Sequence, residues 1–239
     1  MNVVLVGAGN VGTHLKKALE DCEHNVLLAW NRSCGIPLSA LPKADVYIIA
    51  VKDDALSDVA EQMAGNIPDD AVVLHTAGTL PLSVIASCFT HSGVLYPMQT
   101  FSKSQAVDMK TVPFFIEGVD EKAIEMAKYL AEDLSPIVYE LDSEQRRYLH
   151  LSAVWACNFV NHCYVQSAKV LEEIGIPFSV MLPLIDETAR KVHEMTPNEA
   201  QTGPAARGDE TVIAMQMQLI KDEKVQELYR LMSNSIMKK

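Results

Sequence analysis

Residues 3–12 read Val3-Val4-Leu5-Val6-Gly7-Ala8-Gly9-Asn10-Val11-Gly12. A short β-branched run that stops at glycine reads as a buried parallel strand entering a tight turn. Helix formers follow from Thr13 to Glu20, with Val11, Leu15, Ala18 and Leu19 at the spacing that packs a helix onto a sheet. In such a strand-turn-helix Gly7 permits the turn, Gly9 lets a pyrophosphate reach the backbone, and Gly12 lets helix and strand pack closely. The phosphates then rest on the helix N-terminus, around Asn10 and Val11, where free N–H groups and the macrodipole favour negative charge. The same glycines can make a turn that binds nothing; the strand before and the helix after are what point to a dinucleotide.

Outward from this turn, Asn25 to Trp30 supplies a second strand, ending at Asn31-Arg32-Ser33. A site for the ribose 2′-hydroxyl of NAD expects an acidic residue about 20 residues beyond the glycines. None stands here. Asn31, Arg32 and Ser33 offer an amide, a guanidinium and a hydroxyl, the set that a 2′-phosphate needs. A charge-assisted hydrogen bond contributes roughly 1.5 to 3 kcal/mol, so one Arg32 contact gives about 10- to 100-fold preference for NADP over NAD. The competing reading of Arg32 is a solvated loop arginine.

Ala44 to Val51 forms a third strand, and its end places Val51, Lys52 and Asp53 on the nicotinamide side of the crevice outside the strand ends. Ala71 to Leu74 runs into His75-Thr76-Ala77-Gly78, and Val94 to Phe101 breaks at Pro97. His75 reads either as a proton donor, since an imidazole titrates near neutrality, or as a loop histidine bonded to the backbone. Pro113 to Glu117, a helix from Glu121 to Asp133 and a strand from Ile137 to Glu140 complete an α/β pattern. Alternating strands and helices imply a Rossmann-type, doubly wound, mostly parallel sheet over residues 1–141.

From residue 142 helical periodicity takes over, so 142–239 reads as an all-α domain. A capping Ser143 opens a long helix to about Ile174, with an apolar stripe from Leu151 through Val154, Trp155, Phe159 and Val160, and with His150, Cys157, Asn158 and Asn161 on a neighbouring face. Asn158 reads as a carbonyl-polarising amide or as a helix-helix hydrogen bond. Cys157, His162 and Cys163 lack the i, i+4 spacing of metal ligands, so no metal site is expected. Gly175 ends the helix and Pro177 starts another that runs to about Glu194, with Pro183 set to kink or split it. In the loop Thr202 to Asp209, Arg207 either binds a carboxylate or phosphate or anchors to Asp209 or a helix end. Helices around Thr211 to Leu219 and Val225 to Met232 follow.

The 239 residues are 49% apolar and 21% charged, enough for a large core, and carry a net charge of -11. That sign argues against nucleic acid or an anionic membrane as partner. Five scattered cysteines read as reduced thiols, and no charged leader or long apolar span is seen, so the expected location is the cytoplasm.

Taken together, the glycine turn, Asn31-Arg32-Ser33, Ala50-Val51-Lys52, His75-Thr76-Ala77-Gly78, Tyr96-Pro97-Met98-Gln99-Thr100-Phe101, His150 with Asn158, and Thr202-Gly203-Pro204 with Arg207-Gly208-Asp209 resemble one family. It is a bacterial Rossmann-like family of candidate NADP oxidoreductases with a helical C-terminal domain of unknown function. It is similar in plan to pyrroline-5-carboxylate reductase and to deazaflavin-dependent NADP oxidoreductases. The resemblance implies a cofactor in the cleft between domains and a homodimer built by the helical domain. Tyr96 stands where a histidine is expected before the proline, and a tyrosine can also donate a proton.

The chain therefore reads as an NADP(H)-dependent oxidoreductase that passes hydride between nicotinamide and a small carbonyl or imine carbon. His75, His150 and Asn158 are its candidates for proton transfer and carbonyl polarisation, and Arg207 for an acidic substrate group. Two other readings stand beside it. One is a dinucleotide-binding sensor without turnover, since fold does not dictate function. The other is a deazaflavin-NADP oxidoreductase, against which the long helical tail counts.

Overall fold

The computed structural model describes residues 1–237, which form two compact units, the first Met1–Phe159 and the second beginning at Val160. The first is built on a seven-stranded sheet. Its strands are β1 (Asn2–Val6), β2 (Asn25–Trp30), β3 (Val46–Ile49), β4 (Val72–His75), β5 (His91–Pro97), β6 (Phe114–Gly118) and β7 (Val138–Glu140). Between them lie α1 (Asn10–Asp21), α2 (Leu56–Met63), the short α3 (Ser83–Ala86) and α4 (Glu121–Leu134), and α5 (Ser143–Ala153) follows the last strand.

Alternation along β1 explains the layering. Val3 and Leu5 pack with Leu15 and Leu19 of α1 and Leu130 of α4, while Val4 and Val6 pack with Leu56, Ala60 and Met63 of α2 on the opposite face. Each such side chain contributes roughly 1.5 to 3 kcal/mol on burial, so both faces need helices over them.

The strand order is β2-β1-β3-β4-β5-β6-β7. The chain leaves β1 toward β2 and then crosses to β3, so the topological switch point lies between β1 and β3. Strands β1 to β5 pair in parallel, β6 runs antiparallel to β5 with Tyr96 opposite Phe115, and β7 is parallel to β6. The doubly wound, mostly parallel sheet is thus the one expected. Several bounds differ: the strand expected from Ala44 is confined to Val46–Ile49, and β5 begins at His91 and stops at Pro97.

The single helix expected from Ser143 to Ile174 is divided. After α5 the chain makes a π-helical turn, Val154–Phe159, and then continues as α6 (Val160–Glu172). Asp142, not Ser143, caps α5: its carboxylate accepts from Gln145 N at 2.7 Å, and Gln145 Oε1 accepts from Asp142 N at 3.1 Å. This reciprocal capping box frees the Ser143 hydroxyl for another partner.

In the second unit α6 is followed by a 3-10 turn (Phe178–Met181), α7 (Leu182–Glu194), the short α8 (Pro197–Ala200), α9 (Glu210–Gln218) and α10 (Glu223–Met237). Pro183 falls in the first turn of α7, where its missing N–H would have had no helical acceptor, so it splits the helical pattern without kinking α7. Of this unit's described apolar side chains only Leu171, Ala205 and Ile213 are buried, while Val165, Val170, Ile174, Leu184, Leu219 and Leu231 are exposed. No helix among the described residues is long and apolar enough to cross a membrane.

Candidate functional site

The glycine turn closes at the switch point. Gly7 has φ +120°, and a side chain there would put Cβ 2.3 Å from Ala50 O at the end of β3. At Gly12 a Cβ would stand 2.0 Å from Gly7 O, so α1 crosses β1 closely only because that atom is absent. Gly9 is the reverse case, with open space where a Cβ would be. It is the N-cap of α1, and no side chain caps the helix. An uncapped twelve-residue helix presents its first N–H groups and the positive end of its dipole to that space. Val11 packs against the core, leaving its backbone to face the turn, and Asn10 Nδ2 donates to Phe101 O at 2.9 Å, tying the loop after β5 to the start of α1.

Asn31, Arg32 and Ser33 leave β2 beside this turn. Asn31 Oδ1 accepts from Ser33 N at 2.8 Å, and Trp30 Nε1 donates to Ile36 O at 2.7 Å, so the loop is held by its own bonds. Arg32 and Ser33 are exposed. Val51 is half-buried and Lys52 exposed at the end of β3. The predicted cofactor-binding residues therefore gather at the carboxyl ends of three adjacent strands, β2, β1 and β3.

One strand further on, His75 has no exposed surface, and its Nδ1 accepts from Ala77 N at 3.1 Å. Burial first, and the Arg146 guanidinium second, push its pKa down to about 3. It is a neutral ring that shapes the 75–78 loop.

That loop abuts a second pair. Tyr96 Oη and His150 Nδ1 are 3.0 Å apart, with the rings edge to face at 5.9 Å. A Cβ on Gly78 would lie 2.5 Å from His150 Nδ1 and 2.9 Å from Tyr96 Cζ, so the pair fits only against a glycine. Tyr96 is 8% exposed, and burial raises its hydroxyl above the ordinary tyrosine range. The Arg146 charge opposes that rise, and Asp53 and Cys157 add to it.

Beneath the pair, Arg146 is buried in an ion pair with Glu117 of β6 and donates to Leu80 O at 2.7 Å. Ser143 Oγ donates to Glu117 Oε1 at 2.8 Å and accepts from Leu82 N at 2.9 Å. These bonds fix the first turns of α5, and His150 lies one turn beyond Arg146. Asn158 is exposed in the π turn. Arg207 is exposed in the second unit, where Asp209 accepts from Val212 N at 3.1 Å as the cap of α9.

Residues 112–236, just over half the chain, match a family profile described as a domain of unknown function, DUF2520. The chain belongs to the DUF2520 family. The DUF2520 match holds Glu117, Arg146, His150, Asn158 and Arg207, while the glycine turn, Asn31 to Ser33 and Tyr96 precede it. A candidate NADP oxidoreductase of Bacteroides fragilis is 42% identical, with a TM-score of 0.94 over 100% of this chain and 98% of that one. An imine reductase of Streptomyces aurantiacus superposes at a TM-score of 0.67 with 14% identity, covering 99% and 95% of the two chains. Pyrroline carboxylate reductase of Plasmodium falciparum, a structure with NADP bound, gives 0.62 with 10% identity over 99% and 98%. The last two share the fold of this DUF2520 chain. No curated protein matches the sequence.

Proposed function

We propose that this chain is an NADP(H)-dependent oxidoreductase acting on a small carbonyl or imine carbon. The observation that carries the reading is the uncapped N-terminus of α1, open at Gly9 and pressed against β3 at Gly7, with Arg32 exposed at the neighbouring strand end. Backbone N–H groups from Gly9 to Gly12 suit a pyrophosphate, and Asn31, Arg32 and Ser33 suit a 2′-phosphate. Val51 and Lys52 border the nicotinamide side. Bound NADPH supplies the hydride; the protein supplies orientation and charge. His150 holds and moves a proton, Asn158 polarises the substrate's double bond, and Arg207 meets an acidic group on the substrate. His75, neutral and closed off, supports the 75–78 loop that meets His150 at Gly78. The NADP oxidoreductase description of the 42% identical Bacteroides protein favours the same cofactor. The helical region is proposed to join two copies of the chain.

Calorimetric titration of NADPH, NADP, NADH and NAD into the protein tests this. NADPH is expected to bind best, and Arg32→Ala to weaken it about 10- to 100-fold while leaving NADH unchanged. Absence of binding by all four dinucleotides would overturn the reading.

A further inference from the structure

We propose that Tyr96 is the catalytic residue that hands the proton to the substrate, and that His150 reloads it. The proposal rests on the oxidoreductase reading above and adds the identity of the acid. Tyr96 stands at the carboxyl end of β5, on the same sheet edge as the glycine turn, the edge outside which an α/β sheet places its ligand. Among the described residues the only hydrogen-bond partner of its hydroxyl is His150 Nδ1. A phenol has one hydrogen to donate and two lone pairs that accept. When His150 Nδ1–H donates to the oxygen, the phenol hydrogen is left for a substrate nitrogen or oxygen.

His150 is suited to the second role. Nδ1 is committed to Tyr96, but the ring is partly exposed, so Nε2 can draw on water. His75, the other histidine at this edge, has no exposed surface and cannot serve. Gly78 holds the two rings at bonding distance, since any larger residue would push them apart. The anion left on Tyr96 after transfer is costly in a buried site, and the Arg146 guanidinium is the positive charge it feels there. Burial, with the Asp53 charge adding to it, acts in the opposite sense and keeps the phenol protonated until transfer.

The step balances. Hydride from the dihydronicotinamide forms a C–H bond at the substrate carbon while the π pair of the C=N or C=O bond moves to the heteroatom. The Tyr96 O–H bond breaks as the heteroatom–H bond forms. Nε2 of His150 takes a proton from solvent as Nδ1 gives its own to the phenolate, and proton exchange with solvent then restores the Nδ1–H form of the ring. NADPH is oxidised, the substrate is reduced, and one solvent proton is consumed.

The test follows NADPH oxidation by the full chain with 2-methyl-1-pyrroline and a set of small aldehydes as probes. Tyr96→Phe keeps the ring and its packing, and circular dichroism confirms the fold. It is expected to lower kcat about 100-fold or more with KM and the NADPH affinity unchanged. His150→Gln should lose less and regain turnover with added imidazole. In 15N spectra of histidine-labelled protein, His150 should carry its proton on Nδ1, and Tyr96→Phe should abolish that preference. A Tyr96→Phe protein that turns over a probe within about twofold of the parent, or a His150 protonated only at Nε2, overturns the assignment of the acid. If the parent binds NADPH but turns over no probe, the oxidoreductase reading falls and this proposal with it.

Discussion

His75 couples the stability of the fold to pH. In the unfolded chain its ring titrates near 6.5, and in the folded chain burial and the Arg146 charge hold it down to about 3. Between those values the unfolded state binds the extra proton. The contribution is therefore complete above pH 6.5 and is lost as pH falls toward 3, by roughly 1.4 kcal/mol per pH unit. Urea unfolding at pH 7 and pH 5 should show the parent losing about 2 kcal/mol more than His75→Gln over that interval. Equal losses in the two proteins would remove His75 from the acid response. At this scale the sequence was partly legible. Gly7 and Gly12 announced a close strand-helix approach, because few other arrangements need glycine at those positions. His75 left two readings open, since burial decides between them and burial is a property of the assembled sheet. Glu117 and Arg146 stand 29 residues apart, and nothing in their local sequence pairs them.

At the scale of elements, α5 is held by its first two turns. The buried Arg146–Glu117 pair, Leu80 O and the Ser143 hydroxyl tie it to β6 and to the loop after β4, which sets His150 against Tyr96. Glu117→Gln would leave a guanidinium buried without a counter-charge, at a cost of about 3 kcal/mol. The double variant Arg146→Met with Glu117→Leu should recover most of that, because the cost lies in the unpaired charge and not in lost volume. Chemical unfolding of the single and double variants measures both. A double variant no more stable than Glu117→Gln would mean that the network is worth more than the pair. Periodicity identified α5 but not its end. The apolar spacing through Leu151, Val154, Trp155 and Phe159 suits a continuous α-helix and a π turn alike, so one long helix was expected where the structure has two and a wide turn. In the same way Phe114, Phe115 and Ile116 specify a buried strand whichever way it runs, and its antiparallel pairing with β5 is settled by the path of the chain.

On the scale of the whole molecule, the two units differ in how they are stabilised. The sheet of the first is covered by core on both faces, and among the described residues none from Val160 onward belongs to either of those clusters. Val170 and Leu184 are 53% and 62% exposed on α6 and α7, and Ile174 and Leu219 are 69% and 75% exposed in the turns that follow α6 and α9. Full burial of each such side chain is worth roughly 1.5 to 3 kcal/mol, and an unpartnered apolar surface of this kind is typical of an obligate interface. The second copy of the chain proposed above would satisfy it, because a two-fold axis lets the same apolar patch face itself. Light scattering on the parent protein should then give twice the mass of one chain down to sub-micromolar concentration. Val170→Asp, which changes no buried residue of a single chain, should shift that equilibrium toward monomer and lower the unfolding temperature as the exposed helices lose their cover. A parent protein that is monomeric and fully helical at micromolar concentration would show that these helices stand without a partner, and the apolar residues would then need another explanation.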